Sequence, residues 1–266
     1  LVALVLLIAG CANSPATQTL RIATDATFPP FHFIDESGEL TGFDVELARA
    51  VAADAGFGVE LVVVEYDELF AGLKSGNHDV VAASTGITSE RQAEYLFSIP
   101  YYETCQAAVV RTGMNEPRSL FDLRDRRLGA AGSGTSLQAM HETLAAEYLS
   151  INDGEGVTLL AARKIDAWIV DEFDAIAAAR GSHGELVVLS EPLSLERYGL
   201  VLARERADLK KRLDESLAAL IDDGSVARLR RTSGTQTYSV SASVAKSISS
   251  VHIYCKKFSS DFGTAR

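Results

Sequence analysis

What most constrains this chain is the alternation that begins at Leu20: short apolar runs of strand length, each followed by a turn and a segment of helix length. "LRIATD" reads as a strand, "FPPFHFID" as a proline-punctuated loop and strand, and "ESGEL" as a turn. "GFDVELARAVAADAG" reads as a helix with Asp44 near its start and Gly56 at its stop. "VELVVVEY" then predicts a strand, "DELFAGLKSG" a short helix closed by Gly76, and "HDVVAAS" a buried strand. Strands separated by helices predict parallel βαβ units. Ligands of such sheets sit beyond the carboxyl ends of the strands. The loops around Asp25 to Phe28, Tyr66 and Ser84 to Arg91 are therefore where chemistry is expected.

A second set follows "AAVVRTG". "RRLGAAGSGTS" reads as strand to loop, while "LQAMHETLAAEYL" and "GVTLLAARKI" read as helices. "DAWIVDEFDAIAAARG" is a strand running into a helix, "ELVVLS" and "YGLVLARE" are strands, and "ADLKKRLDESLAALIDDGSVARLRRTSG" is two amphipathic helices. Two successive α/β units predict two lobes with a cleft between them. From about Gln236 the chain turns Ser-rich and loses periodicity, so residues 236–266 are left as an unassigned tail.

The 266 residues carry a formal charge of −11 and no Lys/Arg-rich stripe, which argues against nucleic acid, since phosphate binding needs a basic footprint. The first residues, "LVALVLLIAGC", are too short an apolar run to span a bilayer but suit the core of a signal peptide. Leu7-Ile8-Ala9-Gly10-Cys11 resembles a bacterial lipobox, which makes Cys11 a lipidation site and residues 1–19 a signal remnant and linker. The expected protein is exported and membrane-anchored, on the periplasmic or cell-surface side. Export would permit a bridge between Cys105 and Cys255, although their spacing gives no sign of one. The five histidines show no metal-ligand spacing, and no metal or cofactor is expected.

"AGSGTS" is not a P-loop, a dinucleotide fingerprint or a nucleophile elbow. It reads as a tight turn whose N–H groups near Thr135 and Ser136 attract anions at a helix start, or as a plain connector. Arg91 is either a solvated helix charge or a guanidinium that grips a carboxylate bidentately. Asp171, at the end of "AWIVD", either receives an ammonium or caps the helix that follows. Phe28, Phe31 and Tyr66 form an apolar wall or simple core. Together these residues permit recognition of a free α-amino acid without compelling it. Nothing sets a nucleophile beside a base, so no enzyme is expected.

The motifs "RIATDATFPPF", "GELTGFDVELARAVA", "HDVVAASTGITSERQ", "FSIPYY", "GSGTS" and "IDAWIVDEFDA" resemble, in order and spacing, the polar amino-acid-binding proteins of bacterial ABC importers, extracellular solute-binding protein family 3. The resemblance covers about residues 20–235. It implies a two-lobed periplasmic-binding-protein-like fold (type II), α/β in both lobes, with two hinge segments and a ligand cleft between. Lobe 1 would span 20–104 plus 193–235, and lobe 2 105–192. By resemblance, Arg91, Thr135 and Ser136 hold the ligand carboxylate. Asp171, Ser84 and Gly86 serve the ammonium, while Asp25, Phe28, Tyr66 and Thr85 face the side chain. The partners implied are an amino acid and ABC permease subunits, and the state is a monomer. Two positions depart from the family: Gly86, where Ser or Thr is common, and Thr232-Ser233, where Lys-Trp is usual. The same fold also resembles cyclohexadienyl dehydratases, in which a cleft carboxylate protonates a leaving hydroxyl and Asp174 would sit roughly where that acid does. A ligand-sensing module is a third class, disfavoured by the absence of a fused output domain in the sequence given.

Overall fold

The computed structural model describes residues 18–131, 135–144, 148–152 and 154–233. Cys11, Cys255, the 236–266 tail and residues 132–134, expected as a turn, lie outside the described residues. The chain opens with β1 (Thr19–Thr24), β2 (Thr27–Phe28), β3 (His32–Ile34), β4 (Leu40–Thr41) and α1 (Phe43–Asp54). β5 (Gly58–Val63), α2 (Tyr66–Ser75), β6 (Val80–Val81), α3 (Ser89–Glu94), β7 (Tyr95–Phe97) and β8 (Tyr102–Thr104) follow. Next come β9 (Gln106–Arg111), β10 (Leu128–Ala131), α4 (Thr135–Leu144), β11 (Tyr148–Ile151), α5 (Gly156–Ala161), β12 (Ala167–Asp171), α6 (Glu172–Gly181) and β13 (Leu186–Val188). β14 (Glu196–Tyr198), β15 (Val201–Ala203), α7 (Ala207–Asp222) and α8 (Ser225–Ser233) close the described chain.

These elements build two five-stranded sheets, β5-β1-β6-β15-β7 and β11-β10-β12-β9-β13. In the first, β5, β1 and β6 run parallel and β15 is antiparallel to both neighbours. In the second, β11, β10 and β12 run parallel, while β9 is antiparallel to β12 and β13. The parallel βαβ expectation thus holds for three strands of each sheet. The others are return strands, whose pairing depends on partners distant in sequence.

Period-2 alternation with both faces apolar explains why each sheet carries helices on both sides. Ala108, Val110, Ala167 and Ile169 face one core with Met140 of α4, whereas Ala107, Val109 and Trp168 face the other with Leu160 of α5 and Ala175 of α6. In the first sheet, Leu20 and Ile22 meet α1 and α7 through Leu47, Val51, Leu213 and Leu217. Ala23 on the opposite face meets Leu69 and Leu73 of α2. Gly76 stops α2 in the left-handed conformation, its N–H bonded back into the last turn.

Two segments differ from the sequence reading. The helix expected through Leu149 is described over Thr135–Leu144, whereas Tyr148–Ile151 is an edge strand beside β10. "GVTLLAARKI" is helical only to Ala161; Arg163 then takes a positive φ of 55° and turns the chain toward β12.

The lobes are joined by β8 and β14, which pair with each other from Tyr102↔Tyr198 to Thr104↔Glu196. Leu189 and Leu193 still pack in the second core before the chain crosses back.

Candidate functional site

The carboxyl ends of β6, β10 and β12 all reach the space between the sheets, and side chains from both lobes meet there. A cavity of about 430 Å³ is lined by Thr88, Glu90 and Arg91 from the first lobe and Thr135, Leu137, Gln138 and His141 from the second.

Arg91 stands in the short helix α3, which Thr88 caps by accepting a hydrogen bond from the Arg91 N–H at 3.2 Å. Its Nη1 donates to the Gly86 carbonyl at 3.1 Å and its Nη2 to Tyr66 Oη at 3.0 Å. Its guanidinium also lies 5.5 Å from the centre of the Phe70 ring. Each terminal nitrogen has two N–H groups, so each keeps a donor for an anion. Tyr66 thus orients Arg91 rather than meeting Phe28. Phe28 stacks on the buried Phe31 at 5.2 Å, which packs in the first core.

Across the cleft, Asp171 occupies the N-cap position of α6 without a side-chain capping bond. Its Oδ1 instead accepts from Gln106 Nε2 and from Tyr198 Oη, each at 2.9 Å. Burial first, and then the Asp171 charge, push the Tyr198 phenol well above its ordinary pKa, so it remains a donor. Gln106 is fixed in turn by Ser136, whose Oγ donates to Gln106 Oε1 at 2.6 Å, and its Nε2 also reaches Thr135 Oγ1 at 3.2 Å. The Ser136 hydroxyl is therefore used inside the protein. The first N–H groups of α4, at Thr135 and Ser136, have no carbonyl within the helix to meet.

Ser84 and Asp25 also have protein partners. Ser84, at a positive φ of 43°, donates both its N–H and its hydroxyl to Oδ2 of the fully buried Asp44. His32 lies between Asp44 Oδ2 at 3.2 Å and Asp25 Oδ1 at 3.0 Å, and Thr27 donates to the other Asp25 oxygen. Burial alone would lower the His32 pKa, but the two carboxylates outweigh it and raise it to about 9. Burial opposes ionisation of Asp25 too, yet His32 and Thr27 bring its pKa below the ordinary value. Thr85 is buried, its hydroxyl on the Ala83 carbonyl at 3.4 Å. Gly86 forms an isolated bridge with Tyr198 and so ties this loop to β14. Asp174, in the first turn of α6, is half-buried.

Sequence reading missed Gln106, Tyr198 and Glu196. "YGLVLARE" read only as a strand, and Glu196 lies before it, because β14 enters the site from the far end of the chain. Glu196 Oε1 accepts from Ser194 Oγ at 3.2 Å, while Oε2 is buried with no well-formed hydrogen bond. Burial and then the Asp171 charge raise its pKa to about 7, against the opposing influence of Thr135, Ser194 and Gln106 nearby. Among the described residues, no group of three or more side chains could hold a metal ion.

The chain is 30% identical to the L-cystine-binding protein TcyJ of Escherichia coli (strain K12) over 216 residues, 79% of this chain and 80% of that protein. An ancestral arginine-binding protein bound to glutamine superposes with a TM-score of 0.69 at 34% identity, covering 80% of this chain and 96% of the other. The ancestral amino acid-binding protein AncCDT-1, a precursor of cyclohexadienyl dehydratase, gives 0.69 at 30% identity, covering 80% and 94%. A family model matches residues 20–235, which takes in both sheets, the paired crossing strands and the cleft. The chain belongs to the bacterial extracellular solute-binding proteins, family 3.

Proposed function

We propose that this protein captures a polar α-amino acid in the interlobe cleft and delivers it to the permease of an ABC importer, without catalysing a reaction. In this reading Arg91 and the first N–H groups of α4 take the α-carboxylate, and Asp171 takes the α-ammonium. The observation that carries it is a guanidinium with donors to spare on one lobe and a carboxylate held by Gln106 and Tyr198 on the other. Opposite charges on the two lobes suit a zwitterion and leave a neutral or purely anionic solute half-matched. Phe28 and the Tyr66 ring would flank the side chain. Cys11 would carry the lipid that holds the protein, as a monomer, at the outer face of the membrane.

Calorimetric titration of the full chain, stripped of ligand, against the standard amino acids and L-cystine tests this reading. Saturable binding of one or a few of them is expected. Arg91→Ala should weaken it by more than about 100-fold, since two charge-assisted hydrogen bonds contribute about 1.5–3 kcal/mol each. Absence of binding by folded protein would overturn the reading. A dehydratase is the second reading, favoured by the likeness to AncCDT-1 and by a cleft carboxyl, Glu196, whose pKa of about 7 suits a general acid. Turnover of prephenate or arogenate would establish it, and no turnover is expected.

A further inference from the structure

Glu196 occupies a position that the zwitterion reading does not use. It belongs to β14, one of the two crossing strands, two residues before the Tyr198 that donates to Asp171, and the Asp171 charge acts on its carboxyl. A methyl group built on Gly86 would lie 3.6 Å from Glu196 Oε2, 3.5 Å from Arg91 Nη1 and 3.1 Å from Thr135 Cγ2. The missing side chain at Gly86 is therefore a meeting point of both lobes and the hinge. It also leaves Oε2 with no donor from that loop. A buried carboxyl oxygen without a partner costs free energy comparable to a lost hydrogen bond, and an ionised one costs more.

The groups around Glu196 divide by sign. Asp171 at the end of β12 opposes its ionisation, and the Tyr198 phenol from its own strand already donates to Asp171. Thr135 of α4, Gln106 of β9 and Ser194 before β14 favour ionisation. Arg91 of α3 shares the Gly86 meeting point, and Glu90 and His141 line the cavity mouth. Two carboxyls beside one cleft cannot both ionise at low cost unless a cation comes between them. Resting on the amino-acid reading above, we infer that Glu196 is a second carboxylate for the ligand ammonium, which gives up its proton to solvent as the ammonium seats between it and Asp171. Recognition is thereby coupled to release of a proton from the hinge strand.

The proton balance makes the inference measurable. Titrations of the wild-type full chain with its tightest-binding amino acid, run in two buffers of different ionisation enthalpy, should show about half a proton released per ligand at pH 7. The dissociation constant should tighten about tenfold between pH 6 and pH 8, as the binding-competent ionised fraction rises. Glu196→Gln, checked for folding by circular dichroism, should lose both effects and bind more weakly at pH 8. Glu196→Asp should keep the pH slope at lower affinity, which a merely structural role would not produce. His141 is retained in both variants, so any slope it causes would persist in Glu196→Gln.

If the wild type binds an amino acid through Arg91 with no proton release, or if Glu196→Gln retains slope and release, the inference is overturned and the amino-acid reading stands. If folded wild type binds no amino acid, both fall.

Discussion

His32 is held between Asp25 and Asp44 with almost no exposure. Its folded pKa of about 9 exceeds the ordinary 6.5, so the stability it supplies is fully present below pH 6.5 and is lost as pH rises through 9. The melting temperature is therefore expected to fall between pH 7 and pH 10. In His32→Gln that alkaline fall should be smaller, and the protein less stable at pH 7, as scanning calorimetry would read. Gly156 offers a test of packing: a Cβ there would lie 2.1 Å from the Trp168 ring. Gly156→Ala should destabilise by about 1–3 kcal/mol, measured by urea unfolding, because neither the ring nor α5 has room to yield.

At the scale of elements, α3 is a six-residue helix whose main output is the position of Arg91. Thr88→Ala removes its cap, at a cost of about 1 kcal/mol if the whole loss reached global stability. The helix is short and exposed at every residue but Arg91, so the loss should appear mainly as local fraying. A several-fold drop in amino-acid affinity with little change in melting temperature is expected. The strand–helix alternation and the cap at Gly76 were legible in the sequence because local pattern fixes them. α3 was not, since six residues hold too little periodicity. β11 was hidden because "AEYL" continues an apolar helical pattern and only pairing with β10 makes it extended. The same limit governs the site. Arg91, Thr135 and Asp171 follow strands and could be singled out from their local context. Glu196 reaches the cleft through β14, whose partner β8 lies some ninety residues earlier, and no local signal encodes that pairing.

Over the whole molecule, the lobes touch beyond the crossing strands. Phe173, on α6 of the second lobe, lies 4.9 Å from Phe31 of the first and 6.4 Å from Tyr102 beside the hinge. The first contact is edge-on and the second tilted, and because they bridge the lobes they favour a closed arrangement over a parted one. An aromatic pair contributes about 0.5–1.5 kcal/mol beyond burial. Phe173→Ala should accordingly weaken binding about 2- to 10-fold and raise the small-angle X-ray radius of gyration of the unliganded protein. The sheet order carries a different consequence. The second sheet is drawn from one continuous run between Gln106 and Val188, but in the first β15 inserts between β6 and β7. On a chain made from its amino end, the lobe that is begun first is finished last. Until Val201 to Ala203 emerge, its sheet lacks the interior strand that joins β6 to β7. Recognition thus comes into being late: the second lobe can present Asp171 and the start of α4 before the sheet that carries Arg91 is whole.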